Sequence, residues 1–102
     1  MPRVHVTGLL ICRSLEESDR AAAALPEHIR LSRAEPGCLK FEVLRSAADP
    51  CRFALQEIFR SPEDFDAHQN RTRASDWWTA TQHIPREFEI VQAHAECEFT
   101  LP

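Results

Sequence analysis

EPGCLKFEVLRSAADPCRFALQEIFRSPED, residues 35–64, carries two strands, the turn between them and the start of a helix. In Cys38 to Ser46, Leu39, Phe41 and Val43 alternate with Lys40 and Glu42, the period of a strand with one covered face. Ala47-Ala-Asp-Pro50 reads as a turn. Cys51 to Arg60 alternates again, with Phe53, Leu55, Glu57 and Phe59 on one face and Ala54, Gln56 and Ile58 on the other. The short connection makes the two strands an antiparallel hairpin. Ser61-Pro-Glu-Asp64 follows at once. Serine suits an N-cap, proline the first helical position, and the two acids complement the helix dipole.

Upstream, Arg3 to Arg13 is rich in β-branched and apolar residues and predicts a strand mostly buried on both faces. Ser14 and Glu17 have capping-box spacing, so a helix begins there and runs to about Ala34. Ala21, Ala22, Leu25, Ile29 and Ser32 form its apolar stripe. Pro26 predicts a kink, or two shorter helices meeting near Leu25. Glu35-Pro36-Gly37 ends the element, with glycine supplying the turn.

Downstream, the helix begun at Ser61 presents Phe65, His68 and Gln69 on one side. Helical character continues, in one piece or broken, through Trp77 and Trp78 to about Gln82. Ile84-Pro85 closes it, and Phe88 to Phe99 alternate as a last strand. The order is βαββαβ. It predicts an α+β, ferredoxin-like single domain over residues 1–102: a four-stranded antiparallel sheet with the helices on one face. Ile11, Leu44 and Val91 are apolar on the phase opposite to Leu10, Val43 and Ile90. A chain of 102 residues has little left to cover that second face, so sheet-on-sheet homodimerisation is expected.

The net charge of −4, with arginines interleaved among acids, argues against nucleic-acid binding. No apolar run approaches the roughly 20 residues of a membrane span. The N-terminus leads straight into a strand without a signal-peptide pattern, so the expected location is the cytoplasm. Cys12, Cys38, Cys51 and Cys97 are widely spaced, which predicts reduced thiols and no zinc site. No His-x-x-x-His pair and no glycine-rich phosphate loop occur, so no metal and no dinucleotide cofactor is expected.

Glu35-Pro-Gly-Cys-Leu-Lys-Phe-Glu-Val43, Asp49-Pro50, Phe53-Ala-Leu-Gln-Glu-Ile-Phe-Arg-Ser61 and Phe65-Asp-Ala-His68, taken in order, resemble antibiotic biosynthesis monooxygenase domains. The resemblance covers nearly the whole chain. It implies a dimeric α/β barrel, each subunit holding a pocket between sheet and helices. Members of that family include cofactor-independent monooxygenases of phenols and quinols, haem-degrading enzymes, and an isomerase of a phosphorylated dione. The haem constellation is absent, since Thr7-Gly8, His68 and Trp78 stand at its places. The polyketide-oxidising set is absent too: Leu55, Phe59 and Phe65 occupy its positions, and the chain has no tyrosine. A second histidine, five residues after the first in many quinol-type members, is here Arg73.

His68 is the leading candidate for a catalytic base, because histidine titrates near neutral pH. A packing role under the helix fits it equally. Glu57 is a carboxylate on an apolar strand face and must find a partner. It reads as a base, as an orienter of His68, or as a structural pair. Phe41, Phe59, Phe65 and one of Trp77 and Trp78 would wall a pocket for a flat ring. Arg71 and Arg73 could hold an anionic oxygen, or simply face solvent. The leading expectation is a cofactor-independent monooxygenase of a hydroxylated aromatic small molecule. The alternatives are an isomerase of a carbonyl compound and a non-catalytic dimeric ligand-binding or stress-response module.

Overall fold

A computed structural model of the chain describes residues 2–93. Its elements are β1 (Arg3–Ile11), α1 (Leu15–Arg33), β2 (Cys38–Arg45), β3 (Arg52–Phe59), α2 (Pro62–Arg73), α3 (Asp76–Thr81) and β4 (Arg86–Ala93). The sheet order is β2-β3-β1-β4, and every neighbouring pair is antiparallel. β1 and β2 therefore run parallel with β3 between them, the split βαβ arrangement of ferredoxin-like folds.

The period-2 pattern fixes which residues meet the helices. Val4, Val6 and Leu10 of β1 and Phe53, Leu55 and Phe59 of β3 are buried on the helix side. Thr7, Ala54, Gln56 and Leu44 point to the open side and are exposed. The expectation that β1 is mostly buried on both faces holds in full only on the helix side. On its open face His5, Leu9 and Ile11 are only half-buried.

Further details depart from the sequence reading. α1 runs unbroken through Pro26, and the cost of one lost hydrogen bond is outweighed by the stripe Ala21, Leu25, His28 and Ser32, all buried. His28 joins that stripe, and Ile29, as expected, packs against the core from its partly buried edge. Leu39 is exposed, because a register shift between Cys38 and Lys40 turns it away from the core. The turn expected at Glu35-Pro36-Gly37 is present, closed by the Cys38 amide donating to the Glu35 carbonyl at 3.0 Å. Gly37 also allows a close approach, since a Cβ there would collide with the Asp64 side chain.

The second helical region does break, between α2 and α3. Ser75 Oγ donates to the Thr72 carbonyl at 2.6 Å and accepts from the Trp78 amide at 3.3 Å, closing one helix and opening the next. β4 starts at Arg86, two residues before the expected Phe88. The expected part of that strand after Ala93, with His94 and Cys97, lies outside the described residues. Ile90 sits opposite Val6 on the helix side but stays exposed.

Candidate functional site

His68 lies on the second turn of α2, whose start is firmly tied. Ser61 Oγ accepts from the Asp64 amide at 3.2 Å, and Arg60 pairs with Asp64 at 3.0 Å. The Asp64 side chain in turn rests on Gly37. This fastening directs His68 inward, where it is 3% exposed.

Its Nδ1 is 2.8 Å from Glu35 Oε1. Glu35 Oε2 accepts from Arg71 Nε at 2.7 Å, and an Arg71 terminal nitrogen donates to Ser32 Oγ at 2.9 Å. An acceptor held by an arginine on its far oxygen places the histidine proton on Nδ1. Nε2 is then the basic nitrogen. It faces Thr72 Oγ1 at 3.4 Å and Glu57 Oε1 at 3.6 Å. The second distance is contact rather than a hydrogen bond. Burial lowers the His68 pKa from its ordinary value, and the partner Glu35 works against that shift. Glu57 is 8% exposed. Burial, reinforced by the charge of Glu35, pushes its carboxyl up to about 7.

A cavity of about 200 Å³ opens beside this pair. Val43, Leu55 and Glu57 form its sheet side, and His28, His68 and Trp77 its helix side. Arg73, Trp78, Arg86 and Phe88 stand at its more exposed end. His28 stacks on Trp77 with ring centres 4.9 Å apart and planes 3° from parallel, and it meets Phe41 edge-on at 5.2 Å. Burial drives its pKa down to about 3, so it is neutral. Its Nδ1 is buried without a hydrogen-bond partner. The cavity thus combines flat apolar walls, one carboxyl poised near neutral pH, and a neutral histidine with an oriented basic nitrogen.

Of the residues expected from sequence, His68, Glu57, Phe41, Arg73, Trp77 and Trp78 all line this cavity. Phe59 and Phe65 do not. They pack against each other at 5.5 Å, and Phe59 supports the His68 ring at 4.7 Å. The orienter of His68 is Glu35, not Glu57. Arg71, expected on a solvated face, braces that orienter. Sequence reasoning missed His28, Glu35 and Arg86. His28 was visible as the member of the 21-25-28-32 stripe, whereas Glu35 sits in a turn and gave no signal.

A larger hollow of about 370 Å³ lies on the open sheet face near Leu9, Leu44 and Ala54, but it carries no histidine or cysteine. Among the described residues no cluster of three histidines, cysteines or acids is placed to hold a metal. No helix among them is long and apolar enough to cross a membrane.

Residues 15–83 match the model of the antibiotic biosynthesis monooxygenase family. A candidate antibiotic biosynthesis monooxygenase from Nitrosomonas europaea is 25% identical, with 87% of this chain and 95% of that one covered and a TM-score of 0.74. A conserved protein from Bacteroides thetaiotaomicron, described as a possible oxidoreductase, superposes with a TM-score of 0.77 at 16% identity, covering 89% and 97%. A second Bacteroides thetaiotaomicron structure, a candidate monooxygenase of the same name, gives a TM-score of 0.74 at 20% identity, covering 98% and 91%. Among curated proteins none matches the chain. The family match spans all three helices and the hairpin that bears Glu57, and the chain belongs to the antibiotic biosynthesis monooxygenase family.

Proposed function

We propose that the protein is a cofactor-independent monooxygenase acting on a small hydroxylated aromatic of quinol or phenol type. One observation carries this reading: the Glu57–His68 pair, 3.6 Å apart, at the wall of an aromatic-lined cavity. Either member can take the hydroxyl proton of a bound ring. Glu57, with its carboxyl near 7, supplies a base at neutral pH, and His68 holds the adjacent proton position.

The resulting electron-rich anion passes one electron to dioxygen. Recombination of the two radicals forms a carbon–oxygen bond, and loss of water leaves a quinone. A ring C–H, the hydroxyl O–H and O2 thus become a second C=O, the carbonyl of the former hydroxyl, and H2O. The chain contributes deprotonation, an apolar enclosure and positioning. The cavity is smaller than the roughly 300–1,000 Å³ of typical ligand pockets, which favours one or two fused rings.

The open sheet face supports a homodimer as the working unit. Leu44 is 68% exposed there, and Val91 is also exposed. Pairing two such faces would bury them. Light scattering at micromolar concentration is expected to give twice the 11.7 kDa chain mass.

The test is oxygen consumption with hydroxyanthrones, naphthols and quinols. Turnover is expected to consume one O2 per quinone formed and to rise with pH through about 7, where Glu57 loses its proton. Conversion of a carbonyl compound without oxygen uptake would instead favour the isomerase reading, which draws on the same proton-transfer pair.

A further inference from the structure

Six arginines, at positions 13, 30, 45, 52, 60 and 71, each pair with an acid of this chain. Arg3, Arg20 and Arg33 do not, but they are exposed to solvent. Arg86 differs from both groups. It is half-buried, and its hydrogen bonds go only to the carbonyls of Ile84 and Thr81. Its guanidinium lies 5.2 Å from the Trp78 ring and 5.9 Å from the Phe88 ring. Those contacts fix its orientation without neutralising its charge. A guanidinium has five N–H donors, so two backbone acceptors leave capacity unused.

Arg73 lines the same end of the cavity and bonds only the neutral Asn70 side chain, at 3.1 Å. Among the described residues the sole acid lining the cavity is Glu57, at the far end. A chain of net charge −4 therefore keeps, among the described residues, two cations without acidic partners at the entrance to its candidate site. A partly desolvated charge without a counter-ion is costly to maintain, and an incoming anion removes that cost.

We propose that Arg73 and Arg86 form an anion clamp, and that the substrate is an elongated hydroxyaromatic carrying a carboxylate or similar anionic group at the end away from its reacting hydroxyl. The hydroxyaromatic part rests on the monooxygenase reading; the anionic part rests on the arginines alone. The register sets the shape. Arg86 lies opposite Leu10 of β1 and Glu57 opposite Val6, four residues along the same strand. That is about 13 Å along the strand and about 10 Å across two strand spacings between backbones. The two side chains reach into one cavity from those positions, so the hydroxyl and the anion must sit at opposite ends of the ligand.

Calorimetric titration of the full chain with 6-hydroxy-2-naphthoate and with 2-naphthol tests this. The naphthoate is expected to bind at least about tenfold tighter, the scale of one charge-assisted contact. Added salt should weaken the naphthoate and spare the naphthol. The double variant Arg73→Met/Arg86→Met should bring the ratio close to one. If Arg86→Met does not fold, Arg73→Met alone, at an exposed position, should still lower it by about threefold. His68→Ala should leave the ratio intact, because it touches the other end. An intact ratio without oxygen-dependent turnover would sink the monooxygenase reading and support the clamp. Equal affinities in the unaltered protein, binding of neither probe, or a ratio that survives in a folded arginine variant would overturn the clamp.

Discussion

Glu17, on the first turn of α1, and Glu57, on β3, are both covered glutamates, 5% and 8% exposed. Their surroundings separate them. Glu17 lies under a thin cover made largely of Arg13, which is itself 59% exposed and holds it at 2.7 Å. The Arg13 amide adds a second hydrogen bond at 2.8 Å. That partner holds the Glu17 carboxyl down at about 2. Glu57 lies beneath the helices with no arginine within reach, and a second acid, Glu35, raises it further. Coverage alone therefore does not say what a carboxylate is for. The one held by an arginine fastens a helix start, and the one that faces only a histidine retains a proton that it can exchange.

The largest effect is expected from removing the group that Glu57 faces. His68→Ala should lower turnover by about 10²-fold or more, as for loss of a general base. It should also cost about 1–3 kcal/mol of stability, since Glu35 loses a buried partner. Steady-state oxygen uptake and denaturant titration separate the two effects. Near-unchanged turnover per folded molecule would make the pair structural and erase the contrast with Glu17.

Glu57→Gln sharpens the contrast through pH. The folded state keeps the Glu57 proton up to about pH 7, while an unfolded chain releases it near 4.5. Between those values the native state binds more protons, so stability falls as pH rises through that window. The glutamine variant avoids that loss. Above pH 7 it should be more stable than the parent by about 2–3 kcal/mol while losing turnover. Glu17 has the opposite sign: its contribution is present above pH 4.5 and is lost as pH falls towards 2. A Glu57→Gln protein less stable than the parent at pH 8 would show that burial is not what sets this carboxyl.

His28 gives a third check. Its pKa is depressed to about 3, so an unfolded chain binds a proton below pH 6.5 that the fold refuses. Stability is lost as pH falls from 6.5. His28→Phe keeps a flat ring against Trp77 and should recover about 2 kcal/mol of that loss at pH 5. Melting curves at pH 5 and 7 measure it. The smallest effect belongs to the Glu17 end. Ser14→Ala removes the acceptor that takes the Glu17 amide at 3.1 Å and should cost about 1 kcal/mol, with turnover per folded molecule unaltered.

Local chemistry made much of the fold readable in advance. Ser14 and Ser61 cap their helices as their spacing implied, and the alternation in residues 52–59 places Glu57 on the helix side. Pro26 misled, because a helix held by four buried side chains tolerates one missing hydrogen bond. Leu39 misled because a bulge is a one-residue event that periodicity cannot register. The pairing of Glu57 with His68 was legible from a strand turning directly into a helix. The bracing of His68 by Glu35, Arg71 and Ser32 was not, since it joins residues more than thirty positions apart. Arg86 was hidden for a different reason. What distinguishes it is the lack of an acidic neighbour, a property of the assembled cavity.

The break at Ser75 divides the helical layer into two parts with different duties. α2 carries His68, while α3 carries Trp77 and Trp78 and packs mainly on α1. A six-residue cassette, bounded by its own cap, can thus be exchanged without shifting the turn that aims the histidine. Under the proposed function, grafting α3 segments from relatives is expected to alter ring preference and leave proton handling in place.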